Sequence, residues 1–314
     1  MAFTTSNVGD HLIRAELWSN QLKDILLDEL MATQWVRWLT EFPDGNTFTI
    51  PSIGEAVTTD IQENVPIEYT AMDTGEFQFS ITEYVGSAHY ITQKAMQDSF
   101  YAQELLSQFV PKERRAIEER VETSILALAN SQTLSNLNTI NGANHRFVAS
   151  GTSEVMDVKD FALAKYALKK ANVPLSNLVA IVDPSVAYTL ETLTNLVNVS
   201  NNPQWEGIIT TGLTSGMRFI RNIFGFDVYE SNYLPTANET INGKTTAAGV
   251  ANIFFSAEQS VVPFIGAWRQ MPTVYSEFKK DLLRDEYLTV CRWGTKLYRP
   301  ENLVVVLSDT DQVA

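Results

Sequence analysis

The side chains readiest for metal or nucleophile chemistry are three histidines, His11, His89 and His145, and one cysteine, Cys291. A metal site draws ligands from short spacings such as His-Glu-x-x-His, and none of these histidines has such a neighbour. Gly-x-Ser-x-Gly, which raises a nucleophilic serine on a sharp turn, is absent, as is the dinucleotide fingerprint Gly-x-Gly-x-x-Gly. Asn242-Gly243-Lys244-Thr245 imitates the end of a phosphate-binding loop. That loop needs a further glycine where this chain has Asn238, so TANETINGKTTAAG reads as a polar turn. Val290 and Trp293 flank Cys291, which suits a buried, inert thiol. Asn198-Val199-Ser200 and Asn238-Glu239-Thr240 fit the glycosylation pattern, but MAFTTSNVGD has neither the basic start nor the apolar stretch of a secretion signal. The residues therefore predict no catalytic constellation, no cofactor and no metal.

Composition sets the frame for the elements. The chain has 314 residues, 45% hydrophobic and 19% charged, which is ordinary for a globular protein of roughly two domains. Such a length buries about three quarters of the surface exposed by the unfolded chain, without help from disulfides. A single cysteine excludes an internal disulfide and fits a reducing compartment. No apolar run reaches the length of a membrane-spanning helix. Thirty-seven acids against 23 bases leave a formal charge of −14, which repels phosphate.

The acids are unevenly placed. No lysine or arginine occurs between Arg37 and Lys94, whereas Glu41, Asp44, Glu55, Asp60, Glu63, Glu68, Asp73, Glu76 and Glu83 fall within that stretch. The same stretch alternates apolar and polar residues at Phe48/Ile50, Val57/Thr59/Ile61, Val65/Ile67/Tyr69 and Phe77/Phe79/Ile81, which predicts half-buried strands. A β segment so one-sided in charge finds its complement on another surface. Lys279, Lys280 and Arg284 in the tail are candidates, with Lys112, Arg114 and Arg115.

Spacing places the other elements. Over 10–39 a helix is predicted: Trp18, Leu22, Leu26 and Leu30 step by four, Leu27, Met31 and Trp35 form a second stripe, and Trp38 lies on its edge. Such a helix reaches roughly 45 Å and must bury two apolar faces, in its own core or against a neighbouring subunit. Helical periodicity returns over 93–130, interrupted or kinked at Pro111. A mixed block follows, with a helix over 157–171, a strand over 178–182, a helix from Pro184 behind an Asp183 cap, and strands over 226–230 and 253–256. The tail is β-rich over 273–278, 287–293 and 303–307.

This order, with TFTIPSIGEA, LVAIVDPSVAYTLE, GFDVYESNYLP and MPTVYSEFKKDLLRDEYLTVCRWGTKLYRPENLVVV along it, resembles the major capsid proteins of tailed double-stranded DNA bacteriophages, with the Hong Kong 97 fold. The resemblance implies an α+β architecture. Residues 1–42 are the N-arm, with Trp18, Leu22, Leu26, Trp35 and Trp38 as its packing residues. Residues 43–92 are the extended loop that reaches over a neighbour. Residues 93–156 and 261–314 form the peripheral domain with a spine helix over about 93–131, and 157–260 the axial domain.

The implied function is a non-enzymatic shell of pentamers and hexamers enclosing double-stranded DNA, assembled in the host bacterial cytoplasm. The implied partners are further copies, a portal, a separate scaffolding protein because the arm starts near Met1, and in some shells a cement or decoration protein. Some members weld their shells through a lysine of the extended loop. That loop lacks lysine here, so no such cross-link is expected. The alternatives are an encapsulin-like compartment shell, marked by enzyme cargo, and a soluble α/β enzyme or binding protein, marked by a deep pocket.

Overall fold

The computed structural model describes residues 30–39, 47–53, 60, 74–98, 102–131, 137–192 and 219–309. Its strands are β1 (Val36–Leu39), β2 (Thr47–Ile53), β3 (Thr74–Ser80), β4 (Glu83–Thr92), β5 (Thr139–Ile140), β6 (Ala143–Asn144), β7 (Arg146–Val148), β8 (Leu178–Val182), β9 (Phe219–Ile223), β10 (Phe226–Glu230), β11 (Thr240–Ile241), β12 (Lys244–Thr245), β13 (Gly249–Ser256), β14 (Phe264–Lys279), β15 (Arg284–Leu297) and β16 (Val304–Asp309). The α-helices are α1 (Gln93–Asp98), α2 (Ala102–Leu126), α3 (Val158–Lys170) and α4 (Pro184–Thr192).

Two sheets carry the architecture. One has the order β1-β14-β15-β4, the other β7-β16-β13-β8-β10-β9. In the second, β8, β13 and β16 are buried along nearly their whole lengths, as a sheet covered on both faces requires. Their alternating side chains serve two cores. Ile181, Ile253, Phe255, Val305 and Leu307 face Ile117, Val121 and Ile125 of α2, together with Trp293. Ala180, Val182, Phe254, Val304 and Val306 face Phe161 and Leu168 of α3 and Val186 and Leu190 of α4. Phe161, Phe226 and Phe254 meet edge to face with centroids 5.1 to 6.3 Å apart, each pair contributing about 0.5–1.5 kcal/mol beyond burial.

Local chemistry explains several boundaries. Asp157 and Asp160 form a reciprocal capping box at the start of α3. Asp183 accepts from the Ser185 amide at 2.9 Å ahead of the first-turn Pro184. α2 continues through Pro111, which forgoes one backbone hydrogen bond but does not split the helix. Asn242 and Gly243, both at positive φ (52° and 78°), make a tight turn between β11 and β12, so the phosphate-loop mimic is a hairpin.

One expectation is corrected. The helix read over 10–39 does not extend to Leu39: Ala32–Trp35 is a 3₁₀ turn and β1 pairs in parallel with β14. Pairing with an available sheet edge and burial of Val36 outweigh the helical spacing there. The last strand does not return to the sheet of β14 and β15. β16 lies between β13 and β7, in the sheet that holds the central α/β block. Its uninterrupted Val304-Val305-Val306-Leu307 is suited to a doubly covered position.

Candidate assembly surfaces

The predicted arm residues divide at the start of the described chain. Trp18, Leu22 and Leu26 lie outside the described residues. Trp35 packs inside its own subunit, edge-on to Tyr229 and Phe255 at centroid distances of 5.1 and 5.7 Å. Trp38 stacks on Trp268 at 5.4 Å, and its indole N–H donates to the Thr33 carbonyl. What anchors the arm is a residue the spacing did not single out. Glu122 on α2 is fully buried, and its carboxylate accepts from the Met31 and Ala32 amides at 2.9–3.1 Å. Burial pushes its carboxyl up from the usual glutamate value, partly offset by those amides and by the Arg115 charge. Its position between Val121 and the buried pair Ile125 and Leu126, on the apolar side of α2, is the signal that marks it.

Of the acidic stretch, Asp60 and Glu76 are exposed, and Glu76 stands opposite Pro51 in the β2–β3 ladder. Glu83 lies 3.9 Å from Arg120 of the same chain. Glu55, Glu63, Glu68 and Asp73 lie outside the described residues. Phe79 and Ile81 at the base of the β2–β3 hairpin pack on Ile265 and Ala267. At the same place Gly294 lets Ser80 and Ile81 approach closely: a Cβ there would lie 2.7 Å from the Ser80 carbonyl oxygen.

The basic candidates are largely engaged within the chain. Arg114 pairs with Glu118 and Arg115 with Glu119 along α2, at 2.8 and 3.3 Å. Lys279 and Arg284 both hold Glu286, at 2.9 and 2.6 Å, and the Arg284 guanidinium lies 4.4 Å from the centroid of the Tyr90 ring. Lys280 is exposed at the β14–β15 turn.

The four-stranded sheet shows two unlike faces. Thr289 and Trp293 turn toward α2, where Thr289 donates to Glu113 at 2.7 Å and the Trp293 indole donates to Ser124 at 3.3 Å. The other face carries Tyr275, Leu288 and Ala88 in one cross-strand row, with Tyr90 in the next. Tyr84, Tyr90, Tyr275 and Leu288 are 70%, 58%, 54% and 40% exposed, an apolar patch uncovered among the described residues.

Elsewhere polar groups serve the fold. Arg146 is buried and grips Glu239 through two nitrogens at 2.8 and 2.9 Å while donating to the Ala129 carbonyl, tying the end of α2 to β7. His145 is buried with its Nδ1 on the Ala143 carbonyl, and burial pulls its pKa down, so it stays neutral. Burial likewise pushes the Cys291 thiol up, away from reactivity. Among the described residues no three His, Cys, Asp or Glu side chains are grouped to hold a metal. A cleft of about 420 Å³ opens between α3, β7 and the β11–β12 hairpin, lined by Phe147, Leu163, Tyr166, Ile241 and Lys244. No helix among the described residues is long and apolar enough to cross a membrane.

Solved structures of similar shape include phage capsids. The chain superposes on a solved structure from Mycobacterium phage Che8 with a TM-score of 0.66, at 18% identity over 93% of this chain and 96% of that one. The mature capsid of bacteriophage PhiM1 gives 0.70 at 10% identity, covering 95% and 93%. The capsid of cyanophage Pam1 gives 0.65 at 12% identity, covering 99% of each chain. These likenesses establish the Hong Kong 97-type fold. No curated protein matches the chain. The model of a family described as phage capsid protein matches residues 75–306, from β3 through the first half of β16. With α2, three strands of the four-stranded sheet and nearly all of the larger sheet inside a match that spans more than half of its residues, the chain belongs to the phage capsid protein family.

Proposed function

We propose that this is the major capsid protein of a tailed phage, assembling as pentamers and hexamers into an icosahedral head around double-stranded DNA. The family match over residues 75–306 carries the reading. The uncovered apolar face of the four-stranded sheet supports it, because exposed aromatic patches of this kind are interaction surfaces. Its role is structural, not catalytic. The extended loop offers no lysine to weld neighbours, so copies hold together by apolar and ionic contacts. Assembly takes place in the host bacterial cytoplasm with a portal and a separate scaffolding protein, and a decoration protein has exposed sheet on which to sit. The net charge of −14 keeps packaged DNA from adhering to the wall.

Negative-stain electron microscopy of the purified protein, alone and co-expressed with neighbouring genes, tests this. Rings or closed polyhedral shells are expected, and denaturing gels of those particles should show single-chain bands. A small monodisperse species under every condition would overturn the shell, a covalent ladder the absence of cross-links. Enzyme cargo in place of DNA would identify a compartment shell.

A further inference from the structure

The outer face of α3 carries Lys159, Leu163, Tyr166, Lys169 and Lys170, while Phe161, Ala164, Ala167 and Leu168 turn into the core. Lys159, Lys169 and Lys170 are exposed, and none forms an ion pair among the described residues. That is unusual in a chain with 37 acids. It contrasts with Arg114, Arg115, Lys279 and Arg284, which are all paired. Lys169 and Lys170 stand in the last turn, where the helix dipole favours a cation. Lys159 stands in the first turn, where the dipole opposes one. The nearby Asp160 is buried and spends its carboxylate on the Ser150 and Asp157 amides. Helix stability therefore explains two of the lysines and not the third.

The lysines border the cleft beside α3. Leu163 and Tyr166 line it while remaining 39% and 53% exposed, and Lys244 adds a fourth ammonium group, donating to the Ala149 carbonyl at 2.9 Å. A phosphate backbone would satisfy the lysines but leave Leu163 and Tyr166 without an apolar partner. A protein surface that is acidic with an apolar centre satisfies both. A second copy of this chain has the required charge, since each copy carries −14.

We propose that the lysine face of α3 and its cleft dock an acidic surface of a second copy of this chain. The inference rests on the shell reading and assigns one of its contacts. The contact is heterologous, basic on one copy and acidic on the next, so it propagates around a ring instead of closing a two-fold dimer.

The test uses the full chain with Lys159→Glu, Lys169→Glu and Lys170→Glu combined, and separately the three lysines changed to Gln. Circular dichroism and thermal unfolding report folding, light scattering and microscopy report rings and shells, and the ratio of absorbance at 260 to 280 nm reports retained nucleic acid. The Glu variant should fold and yield about tenfold fewer rings or shells, with the Gln variant intermediate. That fall corresponds to the loss of interface charge pairs. Wild-type assembly should weaken with salt more steeply than that of the Gln variant. If the Glu variant does not fold, the Gln variant decides. Wild-type yield and salt dependence in a folded variant overturns the contact and leaves the shell standing. Normal shells with less retained nucleic acid reassign the face to nucleic acid. Wild-type protein that never assembles overturns the shell reading itself.

Discussion

Glu122 shows how one side chain serves both packing and chain direction. It is buried on α2, yet it accepts two backbone amides at the start of the described arm and so sets where β1 begins. Its raised pKa fixes the sign of a pH effect. The folded protein holds that proton more tightly than the unfolded chain, so this group's stabilising contribution is full below about 4.5 and declines as pH rises through the folded pKa. Urea titrations across that range should show wild type losing stability relative to Glu122→Gln as pH rises. Parallel pH profiles would remove Glu122 as a titrating group. Replacement by Ala, which leaves the amides without an acceptor, should cost about 1–3 kcal/mol at neutral pH. His145 and Cys291 are both buried, and Asn242-Gly243 is a turn. Glu122 escaped notice because a helical acid is ordinarily solvated, and only its neighbours Val121, Ile125 and Leu126 hint otherwise.

At the scale of elements, patterns backed by local chemistry were readable. The helix from about Asp157, the first-turn Pro184 and the alternating strands at Phe48/Ile50 and Phe77/Phe79 lie where the residues indicated, while the alternating runs over 57–61 and 65–69 fall outside the described residues. Patterns decided by distant partners were not. β1 is a strand because β14 offers a parallel edge 228 residues away, a fact no window around Trp35 contains. Gly266 makes the β1–β14 contact sensitive to a single atom, since an added Cβ would sit 2.7 Å from the Trp38 ring and 3.1 Å from Val36. Gly266→Ala should therefore lower unfolding stability by about 1–3 kcal/mol and change Trp38 fluorescence. An unchanged denaturation midpoint would mean the arm yields freely at this point.

For the whole molecule, charge is the property read most directly from composition and the hardest to localise. The acidic stretch is real in the sequence, but four of the bases nominated to meet it are paired at home, whereas Lys159, Lys169 and Lys170 on α3 form no ion pair among the described residues. The nine acids of a stretch that holds no base of its own still call for a direct test of their role. Glu68→Lys with Asp73→Lys should reduce shell yield while leaving the unfolding temperature of the single chain within a degree or two of wild type. Equal yield at every salt concentration would show that this charge serves solubility alone. The position of β16 has a consequence for synthesis. β7, β8, β9, β10 and β13 all precede β16 in the chain, so the larger sheet cannot close until the chain beyond residue 304 has been made. A polypeptide cut short before residue 304 lacks a strand from the sheet's interior, leaving the buried edges of β7 and β13 unpaired. Such edges template pairing with other chains, so a truncated copy is driven toward aggregation in place of the native fold.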